Sequence, residues 1–300
     1  PLHVGVGQNY NLRFEGGSEE FRWSASLGYK DIQGAMIGSG RKTFSGGVTL
    51  SYSYKNLTFR NQTSIGSNKS EESPYGSFSD YARQQPYNAP WTDDGKLKRY
   101  FDGWDAWETQ VQNPLYDATL GNIDKSGYVE IINNFSVEWK MTPELTLRGK
   151  FGISHTNNTS DMYKSPESSE FKDYTGDQVL RKGRYAYTTG KANTYEGNVT
   201  LSYAKVFGEV HSLYAGLDAS IAQNDSNSYG FTMEGFTNDR PFIGNALNYA
   251  ENDMPSASEY TTRRLGLVGN VNYVYDNRYY VDLSLRTDGS SQFGSNKRFG

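Results

Sequence analysis

Taken two residues at a time, the chain falls into stretches in which one set of alternate positions is apolar and the other polar. From Val4 one set reads Val4, Val6, Gln8, Tyr10, Leu12 and Phe14. After a turn over Glu15 to Glu20 the chain returns with Phe21, Trp23, Ala25, Leu27 and Tyr29. The positions between carry Arg13, Arg22, Ser24, Ser26 and Lys30. Successive side chains of a β-strand point to opposite faces, so this alternation predicts a hairpin with one apolar and one polar face. Four more hairpins follow. They place Phe44, Val48, Leu50, Tyr52 and Tyr54 beside Leu57, Phe59, Thr63 and Ile65, and Ile131, Phe135, Val137 and Trp139 beside Leu145, Leu147, Phe151 and Ile153. Tyr195, Val199, Leu201 and Tyr203 face Leu213, Ala215, Leu217 and Ile221, and Leu265, Leu267, Val271 and Tyr273 face Tyr279, Val281, Leu283 and Leu285.

The apolar sets contain no charged residue. Arg60, Glu138, Lys140, Arg148, Lys150, Glu196, Arg264, Asp282 and Arg286 all fall on the other face. A charge facing lipid at mid-membrane costs roughly 2 to 4 kcal/mol, which accounts for so strict an exclusion. A water-soluble sandwich also alternates, but it gives no reason for a second regularity. Within hairpins the turns are short: Lys55-Asn56, Met141 to Glu144, Lys205 to Glu209, Asp276 to Arg278. Between hairpins the links are long: Asp31 to Lys42, Gly66 to Gly127, His155 to Asn193, Ala222 to Thr261. Short turns at one end and long loops at the other are the signature of an outer-membrane barrel. Aromatic residues flank the short turns, as an interfacial girdle would: Phe14 and Phe21, Tyr54 and Phe59, Trp139, Tyr203 and Phe207, Tyr275 and Tyr279. The predicted fold is all-β, a transmembrane antiparallel β-barrel wall of about ten strands, each about 9 to 13 residues long.

Composition narrows the function. No window reaches the roughly 18 apolar residues of a spanning helix, and mean hydropathy is -0.75 despite 15% aromatic residues. A net charge of -4 gives no electrostatic case for nucleic acid. The chain has no Cys, which removes disulfides and thiolate metal sites, and His3, His155 and His211 are too far apart in sequence to suggest a ligand set.

Three segments carry a more specific signal: "YARQQPYNAPWTDDGKL" (Tyr81 to Leu97), "NPLYDATLGNIDKSG" with "NNFSVEWKMTPELTLRGKFGI" (Asn113 to Ile153), and the closing "LRTDGSSQFGSNKRFG". With the first hairpin, "FEGGSEEFRWSASLGYKDIQGAMIGSG", they resemble the barrel of SusC/RagA-like TonB-dependent transporters. The resemblance implies a 22-stranded barrel in the bacterial outer membrane, blocked by an amino-terminal plug and energised through TonB. It also implies a SusD-like surface lipoprotein as partner and import of oligosaccharides or peptides. Residues 1–300 are then expected to be a portion of that barrel, with 66–126 as a long extracellular loop and with the plug, the TonB box and the remaining strands absent. A passive porin and a barrel-anchored surface adhesin are the alternative readings.

Import needs no catalytic residue, cofactor or metal, and none is predicted. Asp93, Asp94, Asp102 and Asp105 could be imagined as a glycosidase pair, but solvated loop acids explain them better. The longest loop gathers Tyr75, Phe78, Tyr81, Tyr87, Trp91, Tyr100, Phe101, Trp104, Trp107 and Tyr116 among acids and glycines. Aromatic faces beside carboxylates suit sugar rings and peptides. Trp91, Tyr100, Asp102, Trp104, Asp105 and Trp107 are therefore the candidates for substrate or partner binding, weighed against packing of the loop on itself. "SFSDYARQQPY" predicts a short helical turn stopped by Pro86, and "PWTDDGKL" a tight turn.

Overall fold

The computed structural model describes residues 1–101, 111–251 and 253–294. The chain enters an antiparallel ladder with β1 (Val6–Gly17), β2 (Phe21–Gln33), β3 (Gly40–Tyr54) and β4 (Leu57–Glu71). A long loop follows, carrying helices α1 (Phe78–Ala82) and α2 (Pro114–Asp117) and a separate pair of two-residue strands, β5 (Tyr100–Phe101) and β6 (Val111–Gln112). The ladder resumes with β7 (Ile123–Lys140), β8 (Leu145–Lys164), β9 (Arg184–Phe207) and β10 (His211–Phe236). The short β11 (Ala246–Tyr249) pairs with the end of β10, and β12 (Ser256–Tyr275) and β13 (Tyr279–Ser290) complete the order. No described helix is long and apolar enough to cross a membrane.

The register tests the assignment of faces directly, because residues paired across strands share a face. One rung runs Trp23, Leu50, Asn61, Phe135, Phe151, Gly197, Ile221, Leu265, Gly289. The rung beside it runs Arg22, Ser51, Arg60, Ser136, Lys150, Asn198, Ser220, Gly266, Asp288. A one-residue slip in any pair would have mixed the two sets, and none occurs. The apolar face is left open: Leu50 is 42% exposed, Leu201 37% and Leu283 64%. A continuous apolar surface of this extent is stable only against an apolar medium.

One patch of that face is polar without being charged. Asn61, Thr63 and Asn133 lie between Leu50, Val48, Phe135 and Ile153. Asn133 Nδ2 donates to Asn61 Oδ1 (3.1 Å) and Thr63 Oγ1 (2.7 Å), while Asn61 Nδ2 donates to Asn133 Oδ1 (3.2 Å). The amides therefore satisfy each other inside the apolar band.

Most of the strands are longer than alternation alone marks. In the wall β1, β2 and β13 keep to the expected 9 to 13 residues, with 12, 13 and 12, while the other strands are longer, up to 26 in β10. β8, β9 and β10 continue their pairing through stretches such as 156–161 and 223–228, where polar residues occupy both faces. Past the membrane edge the ladder still satisfies backbone groups, but water on both sides no longer selects apolar side chains. β4 and β7 likewise extend inward to leave 72–122 between them.

The short turns are tight for a local reason. Asp276 and Asn277 both take positive φ (49° and 50°), as a primed hairpin turn requires, and Asp and Asn tolerate that region best among non-glycine residues. Gly17 has φ 139°, and a Cβ there would lie 2.1 Å from the Phe21 carbonyl oxygen. The buried apolar side chains among the described residues are Phe101, Tyr163, Phe171 and Phe236, all at the opposite, long-loop end.

Candidate functional site

The described parts of the loop over 72–122, residues 72–101 and 111–122, are folded, and local signals explain the first of them. Ser77 caps α1: its hydroxyl accepts from the Ser79 N–H, and the Asp80 carboxylate accepts in turn from the Ser77 N–H, a reciprocal capping box. Tyr81 on this helix donates to the carbonyls of Tyr75 (2.8 Å) and Pro114 (3.2 Å). Burial, with Tyr75, Asp80 and Asp117 nearby, pushes its phenol up to about 12. Downstream, the Thr92 N–H donates to Lys96 O (2.8 Å), Gly95 takes φ 79°, and Trp91 bridges to Leu97. The Thr92 hydroxyl and the Lys96 ammonium hold the Asp94 carboxyl below the usual carboxylate range.

The second half is locked from a distance. Asn113 is fully buried at the start of α2, where Oδ1 accepts from the Leu115 N–H (3.1 Å) and Nδ2 donates to the carbonyls of Pro90 (3.2 Å) and Lys98 (2.6 Å). Asp117 reaches the loop between β8 and β9, accepting from the Ser169 N–H (2.9 Å) and from the hydroxyls of Ser168 and Ser169. Arg99 lies over the rings of Tyr100 (5.5 Å) and Tyr116 (5.7 Å) and donates to Glu167 (3.2 Å) and the Ser168 carbonyl. Phe171, 1% exposed, meets Tyr174 edge-on at 5.2 Å. Tyr163 meets Phe236 in the same manner. The loops after β4 and β8 thus form one body at the end of the sheet.

Of the predicted site residues, Trp91 is 54% exposed at the base of the Thr92 turn. Tyr100 is partly buried in β5, paired with Gln112 and covered by Arg99, and burial raises its phenol above the ordinary value. Asp102, Trp104, Asp105 and Trp107 lie outside the described residues. Sequence reasoning missed Arg99, Asn113 and Asp117. Asn113-Pro114 was a legible helix start, but the partners of Asp117 lie 52 positions away and leave no local trace.

Concavities open on the polar face among the described residues. One of about 750 Å³ takes in Arg60, Gln62, Asn134, Lys150, Glu196 and Arg264. Another, of about 570 Å³, sits under the long loops, where Arg181 is held between Glu234 and Glu251. The wall is therefore polar and charged where a lumen would be.

The comparisons with known proteins agree with this geometry. No protein-family model matches. The TonB-dependent receptor P39 of Formosa agariphila is 25% identical over 302 residues, covering 99% of this chain and 27% of that protein. The TonB-dependent receptor SusC of Bacteroides thetaiotaomicron is 22% identical over 324 residues, covering 100% of this chain and 30% of that protein. The chain is similar to TonB-dependent receptors over its whole length. Among solved structures, the RagAB peptide transporter superposes with a TM-score of 0.78 at 21% identity, over 98% of this chain and 33% of that one. The ferric citrate transporter FecA gives 0.61 at 9% identity, over 95% of this chain. The chain thus has the fold of an outer-membrane β-barrel wall, and it spans under a third of the length of the curated relatives it matches.

Proposed function

We propose that this SusC/RagA-like wall belongs to a transporter that actively imports oligosaccharides or peptides across the bacterial outer membrane. The energy comes through TonB, and a SusD-like surface lipoprotein covers the entrance. The observation that carries the reading is the segregation of faces through the apolar band of ten strands, with a charged, concave interior side, in a chain alike throughout to TonB-dependent receptors. The named relatives are receptors and transporters, in keeping with a chain that needs no catalytic residue. RagAB is described as a peptide transporter and SusC as a TonB-dependent receptor, and the folded loop body here offers a platform for a substrate or a lid. Trp91 and Tyr100, with Asp102, Trp104, Asp105 and Trp107, are the residues we assign to that contact.

The experiment is uptake by cells carrying the full-length protein, measured with labelled oligosaccharides and peptides, with TonB present or deleted. Loss of uptake on deleting TonB is the expected result. Uptake that persists unchanged would instead fit a passive pore, and uptake absent in both cases would fit an adhesin.

A further inference from the structure

We propose that the outward side of β3, β4 and β7, at its long-loop end, binds the phosphorylated headgroup of a lipid in the outer leaflet. The proposal rests on the reading of the apolar face as lipid-facing. Along that face Phe44 pairs with Ser67, and Ser67 with Val129. Two residues further out, Lys42 stands directly opposite Lys69, and Lys69 opposite Gly127. Like charges directly across a strand pair repel, and the register leaves these two no way to separate except by splaying their side chains.

The carboxylates of this margin do not resolve the conflict. Asp31 lies 3.9 Å from Lys42, at the limit of an ion pair, and Glu71 is taken by Lys125 at 3.3 Å. Asp161 of β8, opposite Lys125 of β7, meets the Tyr185 hydroxyl, while its Oδ1 is buried with no hydrogen-bond partner and so reaches neither Lys42 nor Lys69. Lys69 has no ion pair among the described residues. An anion set between Lys42 and Lys69 would turn their repulsion into two charge-assisted contacts.

Shape and surroundings say which anion. Gly127 leaves the β7 side of Lys69 open, and a Cβ there would lie 2.7 Å from the Asn68 carbonyl oxygen, so the gap is enforced by the backbone. A concavity of about 870 Å³ opens at this point and includes Lys42, Lys69, Lys125 and Gly127. Directly below, Phe44, Ile65 and Val129 are each more than 40% exposed on the apolar face. A free ion or an acidic protein loop would use only the lysines. A lipid uses both parts, with its phosphate between the ammonium groups and its acyl chains along Phe44, Ile65 and Val129.

The test titrates the detergent-solubilised full-length protein with short-chain phosphatidylglycerol, short-chain phosphatidylcholine and inorganic phosphate, and reads bound adducts by native mass spectrometry. The expected result is phosphatidylglycerol binding that falls roughly 30-fold in Lys42→Gln/Lys69→Gln and is unchanged in Lys55→Gln, in the short turn at the other end of β3 and β4. Lys69→Gln alone should show much of the loss, and it serves if the double variant does not assemble. Undiminished phosphatidylglycerol binding by an assembled Lys69→Gln variant overturns the proposal, as does equal binding of inorganic phosphate. Val48→Arg separates the underlying reading: normal assembly of that variant would show that the face itself does not meet lipid, whatever the lysines do.

Discussion

The wall and the loop body at its end are built from one chain by opposite rules. In the wall, large apolar side chains such as Leu201 and Leu283 point outward and stay exposed, while Arg60 and Lys150 occupy the concave side. In the loop body the order is that of a water-soluble protein. Phe101 and Phe171 are buried, and the polar groups buried with them, Asn113, Ser165, Ser168 and Ser169, are tied into hydrogen bonds. The wall therefore depends on hydrocarbon for its stability, and the loop body does not. A change that ruins one should spare the other.

The largest separation is expected at adjacent residues of β9. Leu201→Arg places a charge toward lipid, costs roughly 2 to 4 kcal/mol and should abolish assembly, whereas Ser202→Arg, on the polar face, should assemble. Heat-modifiable migration of the membrane-extracted protein reads both, and equal damage would break the comparison. Next comes Phe171→Ala, which should loosen the loop body by about 3 kcal/mol through a cavity in its small core. Limited proteolysis of intact cells should then cut within 72–122 while the wall still assembles.

A smaller effect should come from the polar patch of the apolar face. Asn133→Leu leaves Asn61 without its main partner and should cost about 1 kcal/mol, while Asn61→Leu with Asn133→Leu should be close to neutral, as measured by denaturant unfolding from lipid. The smallest concerns pH. The folded-state value of Tyr81 is raised to about 12 from the ordinary 10.0, so the folded loop holds the phenolic proton more tightly than the unfolded chain does. Its contribution is complete below about pH 10 and is lost as pH rises toward 12. Protease resistance of the loop should fall across that window, and less so in Tyr81→Phe.

The two regions also differ in how far the sequence disclosed them. The faces of the wall were legible because lipid enforces a period of two through the apolar band of each strand, where a single misplaced charge would have shown. Strand ends were not, since at 156–161 backbone pairing continues after the hydropathy signal stops. In the loop, Ser77 with Asp80 and Gly95 announced a helix start and a turn, because those signals act within a few residues. The contacts of Asp117 with Ser169 and of Arg99 with Glu167 join segments 52 and 68 positions apart, and only the fold brings them together.

The central claim is that the short turns and the long loops lie on opposite sides of the outer membrane, joined by a wall that faces lipid. Single cysteines introduced into a version of the full-length protein from which any native cysteine has been removed test it through labelling with a membrane-impermeant maleimide. All four positions are exposed, so accessibility alone does not decide the outcome. Cysteines at Gln85 and Asn238 should label in intact cells, and those at Asn56 and Asn277 only after the outer membrane is permeabilised. Labelling of Asn56 in intact cells, with Gln85 protected, would contradict the account.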